Sequence, residues 1–164
     1  MRLPATYTQT NILQGGILYA LGETAGMLIL GKFIVWKMLG MLLLGSTLYA
    51  LEIPAYFAWI TRKTAQIHGW RGQILRAVLA CLYFNPVWIA RHFALSKIFE
   101  GAWSQVSWEL LPIATKSFFW SLPVTLLGNF IIQNYIPERR RFLASGIFSG
   151  LNAMYYALSA TIFA

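Results

Sequence analysis

The sequence predicts an all-α, polytopic membrane bundle of about five spanning helices. Three observations carry that prediction. The stretches 117–137 and 142–164 are apolar and uncharged, and only Glu138 and Arg139-Arg140-Arg141 separate them. Hydrophobic residues make up 58% of the chain against 11% charged, with a mean hydropathy of +0.58, which takes the chain out of the range of soluble domains. The Lys and Arg residues fall between the apolar runs, where they mark membrane interfaces.

The elements follow in order as a single membrane-embedded domain, 1–164. Crossing a hydrocarbon core of about 30 Å takes about 20 helical residues at about 1.5 Å each. The first span is placed at 12–30 and the second at 35–60, with Lys32 and Lys37 snorkelling to headgroups around their tight connection. A basic loop follows, carrying Arg62, Lys63, Arg71 and Arg76, and the third span takes 73–95. Segment 96–115 reads as an interfacial amphipathic stretch, because Lys97, Glu100 and Glu109 alternate with Trp103 and Trp108. Spans four and five are 115–137 and 142–163.

Positive charge sets the orientation. Arg2, Arg62, Lys63, Arg71, Arg76, Arg139, Arg140 and Arg141 fall on one side of a five-span bundle, and Lys32, Lys37, Lys97 and Lys116 on the other. The positive-inside rule therefore predicts an inside N-terminus and an outside C-terminus, with the first group as cytoplasmic-side anchors on anionic headgroups. The first apolar run lacks the layout of a cleavable signal, so the spans themselves are expected to direct insertion, most simply into a bacterial cytoplasmic membrane. The net charge of +8 is assigned to these interfaces and not to nucleic acid.

Pro54, Pro86 and Pro123 lie inside expected spans, where a missing N–H kinks a helix. Gly22 with Gly26, and Gly146 with Gly150, form small-xxx-small faces suited to close helix packing, within the bundle first and in a homo-oligomer or larger complex second. Lone Cys81 reads as a buried small hydrophobe.

Candidate functional residues are the polar groups inside spans. An ionised carboxylate at mid-bilayer costs several kcal/mol unless it has a partner or a wet cavity, which singles out Glu23 and Glu52. Arg91 comes to a depth similar to that of Glu23, so a Glu23–Arg91 pair is expected, with Asn129 a further candidate on the same polar path. The alternative is that Glu23 is neutral and hydrogen-bonded while Arg91 snorkels outward. Catalysis is not expected. The chain has no Asp, no glycine-rich phosphate loop and no His/Cys/carboxylate set with metal-ligand spacing, so no catalytic residue, metal or cofactor is assigned.

Three stretches stand out: Gly16 through Leu18 and Leu21 to Gly22-Glu23, Arg71-Gly72 continuing through Cys81 and Phe84 to Pro86, and Pro123 through Asn129-Phe130 to Ile136-Pro137 and Arg141. Together they resemble the Mpv / peroxisomal membrane protein family of small channel-like proteins. The chain departs from that pattern where Glu23 replaces Asp, where Asn85 replaces the Gly before Pro, in an inserted second span, and in lacking a closing Trp-Asn pair. The segment from Asn129 to Tyr135 followed by Arg139 to Phe142 is similar to GtrA-like proteins, which handle lipid-attached sugars. Either resemblance implies a pore, carrier or transport-related bundle for a small or lipid-linked solute, and the first also implies a mitochondrial inner or peroxisomal membrane. The other reading is a non-catalytic subunit or assembly factor of a larger membrane complex.

Overall fold

The computed structural model describes residues 5–162, with side chains for all of these except 153 and 156–162. Arg2 lies outside the described residues, as does the C-terminal end of the chain. Within them the protein is all-helical, with no strand. The helices are α1 (Gln9–Ile29), α2 (Val35–Leu44), α3 (Ala50–Lys63), α4 (Gly69–Tyr83), α5 (Pro86–Phe99), α6 (Leu110–Tyr135) and α7 (Glu138–Ile162). A five-residue π-turn, Gly45–Tyr49, fuses α2 and α3 into one rod, and α4 and α5 follow each other across a break at Phe84 and Asn85. Four of the resulting rods are long and apolar enough to cross a membrane: Gln9–Ile29, Val35–Lys63, Gly69–Phe99 and Leu110–Tyr135.

Local chemistry sets each boundary. The Thr8 hydroxyl accepts from the Asn11 N–H and caps α1, and α1 ends where Gly31 takes φ +66° and the Lys32 N–H reaches back to the Met27 carbonyl. Pro86 lies inside the third rod, as the sequence reading had it, and the helix opens there instead of only kinking. It stands at the first turn of α5, where its missing N–H costs nothing, and the Asn85 side chain caps the helix by accepting from Val87 and Trp88. Pro54 and Pro123 stay within continuous helices. The interfacial segment is also shorter than expected. Residues through Phe99 still belong to α5, Gly101 ends it at φ +79°, and α6 already starts at Leu110 with Pro112 tolerated in its first turn.

Packing is organised around α1, which runs along α7 and against α2 and the π-turn, while α6 holds α4, α5 and α7. A Cβ on Gly15 would strike the Gly45 carbonyl oxygen, and one on Gly45 would strike that of Gly15, so the two backbones touch where α1 crosses the π-turn. Gly22 and Gly150 approach each other, Gly146 is filled by Leu18, and Gly26 is buried, so the expected glycine faces are used inside the bundle. The π-turn needs extra acceptor cover. The Ser46 and Thr47 hydroxyls donate to the Leu42 and Leu43 carbonyls at 2.6 and 2.7 Å, and the Tyr7 hydroxyl donates to Ser46 O.

The distribution of polarity is inverted relative to a soluble protein. Leu13, Ile17, Leu21 and Leu28 of α1 and Phe119, Val124, Leu127 and Ile131 of α6 face outward, whereas Glu23, His92, Ser117, Thr125, Asn129 and Gln133 are buried. Most tryptophans lie outside the core toward the rod ends, as expected of an aromatic belt, with Trp36, Trp103 and Trp108 at one end and Trp59 and Trp70 at the other. Trp88 is the exception and is part of the core.

Candidate functional site

Helix α5 organises the polar interior. Adjacent residues on a helix point about 100° apart, so Arg91 and His92 serve two different clusters. Arg91 turns to α3, where its two terminal nitrogens donate to Glu52 Oε1 and Oε2 at 3.1 and 2.8 Å. The Tyr83 hydroxyl adds a third bond to Glu52 Oε2 at 2.8 Å, and the guanidinium lies over the Tyr49 and Trp88 rings. The expected Glu23–Arg91 pair is therefore not formed. Depth along the rods matched, but the break at Asn85 resets the rotation of α5 and directs Arg91 to α3.

Glu23 is paired differently. It is only 6% exposed, and its Oε1 lies 2.9 Å from Lys37 Nζ and accepts from the Ser96 hydroxyl at 3.1 Å, while Oε2 faces His92 Nε2 at 3.7 Å. Lys37 also reaches Glu100 at 3.5 Å. It does not snorkel outward as expected: Lys37 stands near the start of α2, across the α1–α2 connection from Glu23, and its side chain turns inward to the carboxylate. On its other side His92 shares a hydrogen bond of 3.1 Å between Nδ1 and the Tyr49 hydroxyl, and its ring stacks on Trp88 at 5.7 Å with 6° between planes. Trp88, His92 and Ser96 occupy one face of α5 at intervals of four residues, a signal that was readable in the sequence and points directly at Glu23.

A second polar feature runs along α6. Ser117, Ser121, Thr125, Asn129 and Gln133 recur every fourth residue and all are buried. At about 1.5 Å per residue this ridge covers roughly 24 Å, most of the thickness of a hydrocarbon core. Sequence reasoning picked out Asn129 alone; the i, i+4 repetition of small polar residues was the missed signal. Asn129 donates to the Thr125 carbonyl at 3.0 Å and to Cys81 Sγ at 3.7 Å, which confirms Cys81 as a buried thiol.

The two features meet at a cavity of about 20 Å³. Glu23, Tyr19, Trp88 and His92 line one side, Thr125 and Asn129 another, and Ser145, Ser149 and Asn152 of α7 close it. Trp88 Nε1, Thr125 Oγ1 and Asn129 Oδ1 are buried there without a protein partner. Asn85, a helix cap, takes no part.

The expected anchors divide in two. Arg62, Lys63, Arg71, Arg139 and Arg140 are exposed. Arg76 and Arg141 instead tie helices together: Arg76 donates to Asn134 at 2.8 Å, and Arg141 donates to Thr61 at 2.8 Å and to the Ile136 carbonyl at 3.0 Å. Among the described residues no group of His, Cys, Asp or Glu could hold a metal ion. Comparison with family models, with curated proteins and with solved structures finds no match to this chain.

Proposed function

We propose that this chain is a five-span integral membrane protein, N-inside and C-outside, that moves a small solute along its polar interior. The single observation that carries the reading is the buried seam on α6 and its junction with the Glu23 cluster at a small cavity. Polar groups inside a membrane bundle are costly, and a row of them along most of a hydrocarbon thickness supplies the groups that a path requires. The apolar outer faces of α1 and α6 supply the lipid contact. A bacterial cytoplasmic membrane fits the small loops, and the resemblance to channel-like Mpv proteins agrees with a transport role. The narrow cavity favours a small solute over a lipid-linked one.

Reconstitution tests this. The purified protein in liposomes should give flux of small solutes or ions above empty vesicles. Quantitative co-purification with one membrane complex and no flux for the isolated chain would replace the proposal with the subunit reading. That reading draws less support, since the glycine faces that would dock a partner are occupied within the fold.

A further inference from the structure

We infer that the species moved is the proton, bound by Glu23 and His92 and handed through cavity water to the α6 seam; this deepens the transport reading above and rests on it. The cavity volume of about 20 Å³ has room for one or two water molecules and nothing larger. A water bound there needs two to four polar partners, and Glu23, His92, Ser149 and Asn152 line the space beside apolar Met41, Phe84 and Phe148.

The charges around the space select among water-sized species. Glu23 comes from α1, Lys37 from α2, Tyr49 from the π-turn, and His92 and Glu100 from α5 and its end. Tyr19 of α1 lines the wall, Cys81 of α4 lies behind Asn129, and the Arg91–Glu52 pair closes on itself beyond Tyr49. Helices α6 and α7 contribute only neutral Thr125, Asn129, Ser145, Ser149 and Asn152. A metal cation needs several oxygen ligands and would meet Lys37, and an anion would meet Glu23. A proton needs neither room nor a ligand shell, only groups that bind and release it within hydrogen-bond reach.

The transfer balances simply. A hydronium ion in the cavity breaks one O–H bond and leaves as water, while the proton forms a new bond on the Glu23 carboxylate or on His92 Nε2. Release is the reverse step: the bond to the carboxylate oxygen or to Nε2 breaks and the proton forms a new bond on a second water. Lys37 keeps a counter-charge throughout, because Glu100 remains 3.5 Å from it when Glu23 is neutral. Inward of the cavity, Asn129 and Gln133 continue the seam one helical turn further.

The experiment uses the full chain in liposomes carrying a pH-sensitive dye, with a potassium gradient and valinomycin to drive protons, and urea flux measured in parallel. Wild type should acidify the lumen above empty vesicles. Glu23→Gln, which leaves Lys37 its counter-charge on Glu100, should cut proton flux by about a hundredfold, the lower range for removing a positioned proton-transfer group. His92→Gln keeps hydrogen bonding but lacks a ring nitrogen to carry the proton, and it should reduce proton flux while leaving the protein monodisperse. Wild-type protein that passes urea or an ion but no protons overturns the proton assignment and leaves the transport reading standing, whereas no flux of any kind removes both. Wild-type proton flux retained in both folded variants also overturns the assignment, and the wild-type measurement decides alone if a variant fails to fold.

Discussion

The two carboxylates inside the apolar rods, Glu23 and Glu52, occupy opposite kinds of site. Glu52 is closed: a two-pronged bond to Arg91 and a third from Tyr83 satisfy both oxygens, in a pair whose side chains are 29% and 36% exposed. Glu23 is open: it is more deeply buried, shared among Lys37, Ser96 and His92, and borders a cavity. A carboxylate with one rigid partner has little reason to exchange a proton or a contact. One that divides its charge among several groups beside a cavity can change partners at small cost, and burial alone does not separate these cases.

The largest effect is expected where the closed pair is cut on one side. Arg91→Leu strands Glu52, and breaking a buried ion pair costs about 3–5 kcal/mol, reduced here by the one-third exposure of the pair. Thermal unfolding in detergent should show a large loss that Glu52→Leu on the same chain mostly restores. Purely additive losses would mean that the pair is not a unit.

Cutting the open cluster should cost less. Lys37→Met removes one charged hydrogen bond from Glu23, on the order of 1.5–3 kcal/mol, but Ser96 and His92 remain. A loss equal to that of Arg91→Leu in the same melt would erase the distinction between the two sites. Gly15→Ala tests the crossing that brings α1 to the π-turn, since its Cβ must displace Gly45 backbone; overpacking of about 1–3 kcal/mol is expected, with Tyr49 and His92 shifted as a consequence. Normal stability and unchanged flux in this variant would dissociate the π-turn from the site.

The smallest energetic effects belong to the exposed cations. Arg139→Gln or Arg62→Gln should change stability by less than about 0.5 kcal/mol, while Arg141→Gln, which loses its bond to Thr61, should cost more. In the proposed topology their contribution is to orientation. In a Cys81→Ser background, cysteines at Ala65 and Ser104 should label from opposite sides of the membrane, and labelling of both from one side would overturn the five-span topology.

Much of the fold was legible because a bilayer restricts the choices. A hydrocarbon slab demands apolar helices of a set length, so hydropathy and the positions of Lys and Arg locate the rods to within a few residues, as for 12–30 against Gln9–Ile29. Local signals were clear as well: Gly31 ends a helix, Asn85-Pro86 starts one, and the i, i+4 rows on α5 and α6 were present to be read. The candidate residues Glu23, Glu52, Arg91 and Asn129 were identified from type and depth alone, because an ionisable or amide group within a span needs a partner whatever the fold.

Which partner it finds is another matter. Depth is a single coordinate along the rod, and pairing also depends on how each helix is rotated about its axis. That rotation is set by the break at Phe84-Asn85, by the extra residue of the π-turn and by the contact of Gly15 with Gly45. So the sequence by itself determined the rods, their ends and the residues that must be satisfied inside. Only the tertiary structure decided that Arg91 closes on Glu52, that Lys37 turns inward to Glu23, and that His92 stands between Glu23 and Tyr49, since helix rotation and register come from packing among rods far apart in the chain.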